Sequence, residues 1–260
     1  LEPNTVTCAA VISACEKGQQ WERVLALVLE MRRSQLHPNL IACNAAISAC
    51  EKGKQWQAAL VLLAEVREQG LLPDVITYSA ALSSCEKGLQ WERALFLLQE
   101  MQRDELAPDV VTYNAAISAC EKGRQWQRAV ELLAQMQAHA LRMDAVTYGA
   151  AVSACGTDRG EQWPRALGLL REMQQGQLLP GLITFSAAMG ACQRGGRWDY
   201  AMALMAEMRE LELDPGADAC SAAVGACERQ RRWGQARVLM QEAEQGAERA
   251  LGLLGLAAER

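Results

Sequence analysis

The fold is decided by the stretch Val110-Val-Thr-Tyr-Asn-Ala-Ala-Ile-Ser-Ala-Cys-Glu-Lys-Gly-Arg-Gln-Trp126, because close versions of it recur along the whole chain. Each version opens a unit of 35 residues, and only the fifth unit is longer, by two residues. A fixed period of roughly 20 to 50 residues is typical of stacked repeats. The predicted repeats span residues 5–39, 40–74, 75–109, 110–144, 145–181, 182–216 and 217–246.

Apolar residues in the fourth unit follow two helical stripes. The first has the spacing i, i+3, i+4, i+7 and consists of Tyr113, Ala116, Ile117 and Cys120. Gly123 ends this helix. The second stripe consists of Trp126, Ala129, Val130, Leu133 and Met136. We therefore predict helices over residues 110–122 and 126–139 in this unit and at equivalent positions elsewhere. Because neither helix can bury its stripe alone, the hairpins should stack into an all-α solenoid, a right-handed superhelix with the first helices on its concave side.

The two ends of the chain depart from the full repeat. Residues 1–4 match residues 36–39, which close the first unit, and are expected to be the end of a preceding repeat. Residues 247–260 lose the pattern and are expected to form a tail or a capping helix.

Composition limits the classes of function. No apolar run reaches the roughly 18 residues of a membrane span, so no membrane partner is expected. Seven of the ten cysteines recur at one repeat position, and the chain contains no C-x-x-C pair. We therefore expect buried thiols in a reducing compartment, with neither a zinc site nor any other cofactor.

No signature of catalysis is present. His37 and His139 are the two histidines, and neither begins the H-x-E of a zinc deaminase. No carboxylate cluster lies outside the repeats for a metal nuclease, and no phosphate-binding glycine loop occurs. The sequence therefore favours a binding protein over an enzyme.

The first helix has a free face with one variable position. Asn114 in the fourth unit corresponds to Ala9, Asn44, Ser79, Gly149, Ser186 and Ser221. The surrounding residues barely change between units, so variation at this one position indicates that each repeat recognises its own part of a ligand. The alternative is that an exposed position simply tolerates random substitution.

Two further rows recur once per repeat. Six cations form a basic row: Lys17, Lys52, Lys87, Lys122, Arg194 and Arg229. Such a row can follow a phosphate backbone, or each cation can serve its own helix end and pair with a glutamate. The tryptophans open the second helices, where we expect a core position rather than base stacking.

These features resemble the pentatricopeptide repeat family over residues 1 to about 245. The resemblance lies in the 35-residue hairpin, in Val110–Asn114 near its start, in Met101, and in Pro108-Asp109 at its end. The tetratricopeptide family differs in its period of about 34 residues and its W-x2-L-G-x2-Y motif, which is absent. The resemblance implies that the chain binds single-stranded RNA at one base per repeat, in a mitochondrion or chloroplast.

The resemblance also implies roles for individual residues. The fifth and last residues of a unit would read one base together, in the pairs Ala9 with Asn39, Asn44 with Asp74, Ser79 with Asp109, Asn114 with Asp144, Gly149 with Gly181, and Ser186 with Gly216. The second residue would wedge between bases, at Val6, Ile41, Ile76, Val111, Val146 and Ile183. Asparagine with aspartate favours U and serine with aspartate favours G, so units two to four would read U-G-U. The three aspartates are also expected as helix caps.

Two functions follow. The first is a sequence-selective RNA-binding adaptor in organellar RNA processing, stability or translation, with an RNA-processing enzyme or another protein as a further partner. The second is a protein–protein interaction scaffold, because helical solenoids also hold peptides. The net charge of −5 weighs against a strong nonspecific nucleic-acid binder.

Overall fold

A computed structural model describes residues 4–157 and 161–238 of the chain. The predicted tail at 247–260, the end of the seventh unit and part of the insertion in the fifth unit lie outside these residues. The described residues form helices and no strand. The helices with complete bounds are α1 (Thr5–Lys17), α2 (Trp21–Arg33), α3 (Leu40–Lys52), α4 (Trp56–Glu68), α5 (Val75–Lys87), α6 (Trp91–Arg103), α7 (Val110–Lys122), α8 (Trp126–Ala138), α9 (Ala145–Gly156), α10 (Trp163–Gln175), α11 (Leu182–Arg194), α12 (Trp198–Glu210) and α13 (Ala217–Arg229).

The helices belong to two compact units, Leu1–Arg142 and Met143–Arg260. Helices α1 to α8 lie in the first unit, and α9 to α13 lie in the second. Within each unit, successive first helices pack against one another, and each first helix from α1 to α11 also packs against the second helix of its own hairpin. This stacking in chain order confirms the prediction of an all-α solenoid.

The last residue of one repeat caps the first helix of the next. The side chain of Asp74 accepts a hydrogen bond of 2.8 Å from the backbone N–H of Thr77, and Asp109 accepts one of the same length from Thr112. Asn4, Asn39 and Asp144 cap α1, α3 and α9 in the same way. These hydrogen bonds confirm the expected capping role of the three aspartates. Such caps typically stabilise a helix by about 0.5–2 kcal/mol. Gly181 and Gly216 leave α11 and α13 without a side-chain cap.

The core consists of the first-helix stripe and most of the second. Tyr113, Ala116, Ile117 and Cys120 are completely buried, as the sequence predicts. On the second helix, the stripe is buried except for Val130 and the leading tryptophan, which are half-buried.

The repeated cysteine belongs to this core. Burial raises the pKa of the Cys50 thiol to about 11 and that of Cys120 to about 12. These thiols are therefore neutral at physiological pH and pack as small apolar side chains.

The prediction that the tryptophans lie in the core is wrong. Six of them are half-buried, and Trp233 is 61 % exposed. In the first unit, the indole rings of Trp21, Trp56 and Trp91 lie instead against the glycine that follows the first helix of the next repeat. A Cβ added to Gly53 would lie 2.5 Å from the ring of Trp21. A Cβ added to Gly88 or to Gly123 would clash in the same way with Trp56 or Trp91, respectively. The tryptophans are therefore contacts between repeats.

Backbone conformation does not explain these glycines. Gly53, Gly88 and Gly123 have φ between −84° and −78°, which any residue adopts. The left-handed conformation that ends each helix falls on the following residue, with φ of 56° at Lys54 and 55° at Arg124. The space occupied by the indole ring is therefore what requires glycine.

We predict opposite effects for two alanine substitutions at equivalent glycines. Gly123→Ala should destabilise the protein by about 1–3 kcal/mol, because its Cβ would overlap the Cβ and Cγ atoms of Trp91. Gly18→Ala has a similar φ of −78° but meets atoms no closer than 3.6 Å, so it should be neutral or stabilise by up to about 1 kcal/mol. Urea unfolding followed by circular dichroism measures both, and equal effects would contradict the indole contact.

Candidate nucleic-acid interface

One aliphatic side chain per repeat lies in solvent on the first helices. This apolar row consists of Val6, Ile41, Ile76, Val111, Val146 and Ile183, which are 60–79 % exposed. A single exposed aliphatic residue needs no explanation, but here the same position is exposed in six successive repeats. The row therefore offers apolar surface at regular spacing within each unit.

The structure brings the predicted reading pair of the second repeat together. Asn44 lies on α3 three residues after Ile41, so the two share a helix face. Its side-chain nitrogen donates to both carboxylate oxygens of Asp74, at 3.1 and 3.3 Å. Asn44 and Asp74 are half-buried, so each keeps part of its surface accessible to a ligand.

A third residue, Thr77, completes this cluster, and the sequence analysis did not identify it. Its buried hydroxyl lies 2.6 Å from Oδ1 of Asn44 and 2.7 Å from Oδ1 of Asp74. Partial burial raises the pKa of the Asp74 carboxyl, but hydrogen bonds from Thr77 and Asn44 outweigh burial, so this pKa lies below its ordinary value. Asp74 is therefore an ionised acceptor at neutral pH.

The pair of the third repeat is connected through the equivalent threonine. The hydroxyl of Ser79 lies 2.7 Å from that of Thr112, and Thr112 donates to Oδ1 of Asp109 over 2.7 Å. Ser79 is half-buried, whereas Asp109 is exposed. Thr112 thus bridges the two residues that were expected to act together.

The predicted pair of the first repeat differs from these two. Ala9 is 7 % exposed and offers no polar group, and Ala42 replaces the threonine beside its partner Asn39. Asn114 is half-buried on α7 rather than exposed, and Asp144 caps α9 in the other unit.

Glycine limits the pairs of the second unit. Gly149 and Gly181 carry no side chain, and half-buried Ser186 is paired with Gly216, which also has none. The pairs that contain alanine or glycine therefore offer less polar chemistry than the pairs of repeats two and three.

Three lysines of the basic row form ion pairs between repeats. Nζ of Lys52 lies 2.6 Å from Glu16, and Nζ of Lys87 lies 2.7 Å from Glu51. Lys122 pairs with Glu86 in the same register. The hydrogen bond from Lys52 holds the pKa of Glu16 below its usual value. Of the two roles expected for the basic row, the structure therefore shows pairing with glutamate for these three lysines.

The other cations of the row occupy different surroundings. Lys17 is exposed at the end of α1. Arg229 donates to the backbone carbonyl of Arg194 over 3.1 Å. Partly exposed ion pairs contribute only about 0–1 kcal/mol, so a lysine of the row can exchange its glutamate for another anion at little cost.

Within the described residues, no group of three or more histidine, cysteine or acidic side chains could hold a metal ion. No helix in the same part of the chain is long and apolar enough to cross a membrane.

Family models match most of the chain. The PPR repeat family model matches residues 108–157, the pentatricopeptide repeat domain model matches 1–51 and 26–87, and the PPR repeat model matches 76–106 and 183–213. The chain belongs to the pentatricopeptide repeat family. No curated protein sequence matches it significantly.

Solved structures have the same fold. The pentatricopeptide repeat protein PPR10 from maize is 26 % identical with a TM-score of 0.65, covering 91 % of this chain and 34 % of the maize chain. PPR10 in complex with an 18-nucleotide psaJ RNA element is 19 % identical, with a TM-score of 0.60, covering 96 % of this chain and 41 % of that one. The PPR domain of Arabidopsis thaliana protein-only RNase P 1, in complex with tRNA, is 18 % identical with a TM-score of 0.60, covering 71 % of this chain and 95 % of that domain. This chain thus spans about a third of the maize protein's length.

Proposed function

We propose that the chain is a sequence-selective adaptor that binds single-stranded RNA in organellar RNA processing, stability or translation. The observation that carries the proposal is the combination, repeated on successive first helices, of an exposed aliphatic side chain with a hydrogen-bonded polar pair. An unpaired base has an apolar face and a polar edge, and the apolar row suits the face while Asn44 and Ser79 suit the edge.

The comparisons support this proposal at the level of the family. Maize PPR10 and the PPR domain of the Arabidopsis RNase P have both been solved in complexes with RNA. The likeness to the RNase P is to its PPR domain. We therefore propose that the chain contributes RNA binding rather than catalysis, recruits a processing enzyme or another protein, and resides in a mitochondrion or chloroplast.

A protein-binding scaffold is the second candidate. The net charge of −5 favours it, and so do the ion pairs that neutralise Lys52, Lys87 and Lys122. The two candidates differ in whether the lysines exchange glutamate for phosphate when a ligand binds.

The first prediction from this proposal concerns the dependence of RNA binding on salt. Changing Lys52, Lys87 and Lys122 together to Gln should weaken binding to every single-stranded RNA alike. The slope of log K against log salt should fall by about 0.7 for each phosphate that the protein no longer neutralises. The control changes Arg33, Lys54 and Arg103 to Gln, which alters the net charge equally through exposed residues outside the basic row. If both triple variants keep the parent's slope, the lysines serve only their glutamates and the scaffold gains support.

The second prediction concerns base selection by the Asn44–Asp74 pair. Asn44→Thr replaces an amide by one hydroxyl, so the base preferred at this site should move from U towards G. The change should amount to about 1–3 kcal/mol of discrimination, the value of a good contact between a side chain and a base. Competition binding between two RNAs that differ at this base measures it. RNAs that differ only at the base read by Ser79 serve as controls and should keep their ranking. Identical rankings for parent and variant at the Asn44 site would contradict modular reading there.

A further inference from the structure

The third residue of one repeat lies between the two reading residues that precede it. Thr77 contacts Asn44 and Asp74, and Thr112 contacts Ser79 and Asp109. Both threonine side chains are completely buried, so water does not compete for their hydroxyls.

The direction of the hydrogen bonds around Thr112 follows from proton counting. A hydroxyl has one hydrogen to donate, and an ionised carboxylate can only accept. The 2.7 Å contact with Asp109 therefore takes the hydrogen of Thr112. Ser79, which is also 2.7 Å from Thr112, must then donate its own hydrogen to that threonine. With its hydrogen committed, Ser79 offers a ligand only lone pairs.

The cluster around Thr77 gives the opposite result. The side-chain nitrogen of Asn44 donates to Asp74, and the hydroxyl of Thr77 donates its one hydrogen to Oδ1 of Asn44 at 2.6 Å, shared with Oδ1 of Asp74 at 2.7 Å. The two oxygens of one carboxylate lie too close together to receive both hydrogens of the amide, so they share one hydrogen and the other remains for a ligand. Asn44 therefore faces the ligand as a donor.

We propose that Thr77 and Thr112 are positioning residues that set the hydrogen-bond polarity of the preceding reading side chain. Asn44 becomes a donor and Ser79 an acceptor. The inference rests on the proposed RNA-binding function. A donor suits the carbonyl oxygens of uracil, whereas an acceptor suits the ring N–H and amino group of guanine. A buried threonine thus makes serine an acceptor and asparagine a donor. It influences which base binds without contacting the base itself.

The chain supplies a matched control for this role. Thr184 occupies the same repeat position and is also buried, at 4 % exposure. It faces Gly149, where an added Cβ would lie 3.4 Å from the threonine hydroxyl oxygen, and its capping residue is Gly181. Because neither glycine has a polar side chain, Thr184 has no reading residue to polarise.

The test compares full-length Thr112→Val, Thr112→Ser and Thr184→Val with the parent. Thr112→Val keeps the shape of the side chain and leaves the Asp109 cap in place, since that cap binds the backbone N–H of residue 112. Competition binding with unstructured RNAs measures the preference for G over A at the Ser79 site and for U over C at the Asn44 site. Thermal unfolding of each variant is followed in parallel.

Thr112→Val should lower the preference for G over A by about tenfold and leave the preference for U at the Asn44 site unchanged. Thr112→Ser retains the hydroxyl and should retain the preference for G, and Thr184→Val should change neither. An unchanged preference in Thr112→Val, or an abolished one in folded Thr112→Ser, overturns the inference while leaving the proposed function intact. If Thr112→Val does not fold, Thr77→Val tests the same role at the Asn44 site, with the Ser79 site as its control. A parent that shows no preference at either site instead overturns base reading itself.

Discussion

The rings of Trp21, Trp56 and Trp91 pack on the glycines of the next repeats, and this contact limits how closely successive hairpins of the first unit approach. Glycine at 53, 88 and 123 lets the neighbouring hairpin approach until the ring lies over its backbone. The ion pairs between glutamates and lysines join the same successive first helices, and so does the contact between Asn44 and Asp74. A wider spacing would separate all of these partners together, because each ion pair joins two successive repeats and Asp74, which ends its own repeat, is held at the start of the next first helix.

Asp74, the last residue of its repeat, has two roles in the candidate site. The residue that ends one repeat caps the next helix with its carboxylate and also accepts a hydrogen bond from the reading cluster. The position of the carboxylate is thus fixed by the helix that it caps before any ligand arrives, which lowers the entropic cost of binding. The lysines are held by glutamates in a similar way, and this explains how an acidic chain can still carry a basic row.

The sequence predicted the parts of the structure that arise within one repeat. Periodicity located the helix over 110–122, because its stripe follows from the geometry of a single amphipathic helix, and the family resemblance pointed to Ile41 and its equivalents. Periodicity misplaced the tryptophans, since a large apolar residue at the start of a stripe looks the same whether it faces the core or the next repeat. The sequence also did not reveal that Thr112 bridges Ser79 and Asp109. A threonine three residues after a capping aspartate is common at the start of any helix, so it does not by itself indicate a second contact. Partners about one repeat apart become visible only when the hairpins are stacked.

We propose that successive repeats read successive bases through these clusters. Selection of binders from a pool of random single-stranded RNA tests it most directly, because no target need be assumed. If reading is modular, the bound RNAs should share adjacent U and G, read by the Asn44 and Ser79 clusters, with a further U expected from Asn114. Bound RNAs without a common motif, or no RNA retained above a protein-free control, would contradict it.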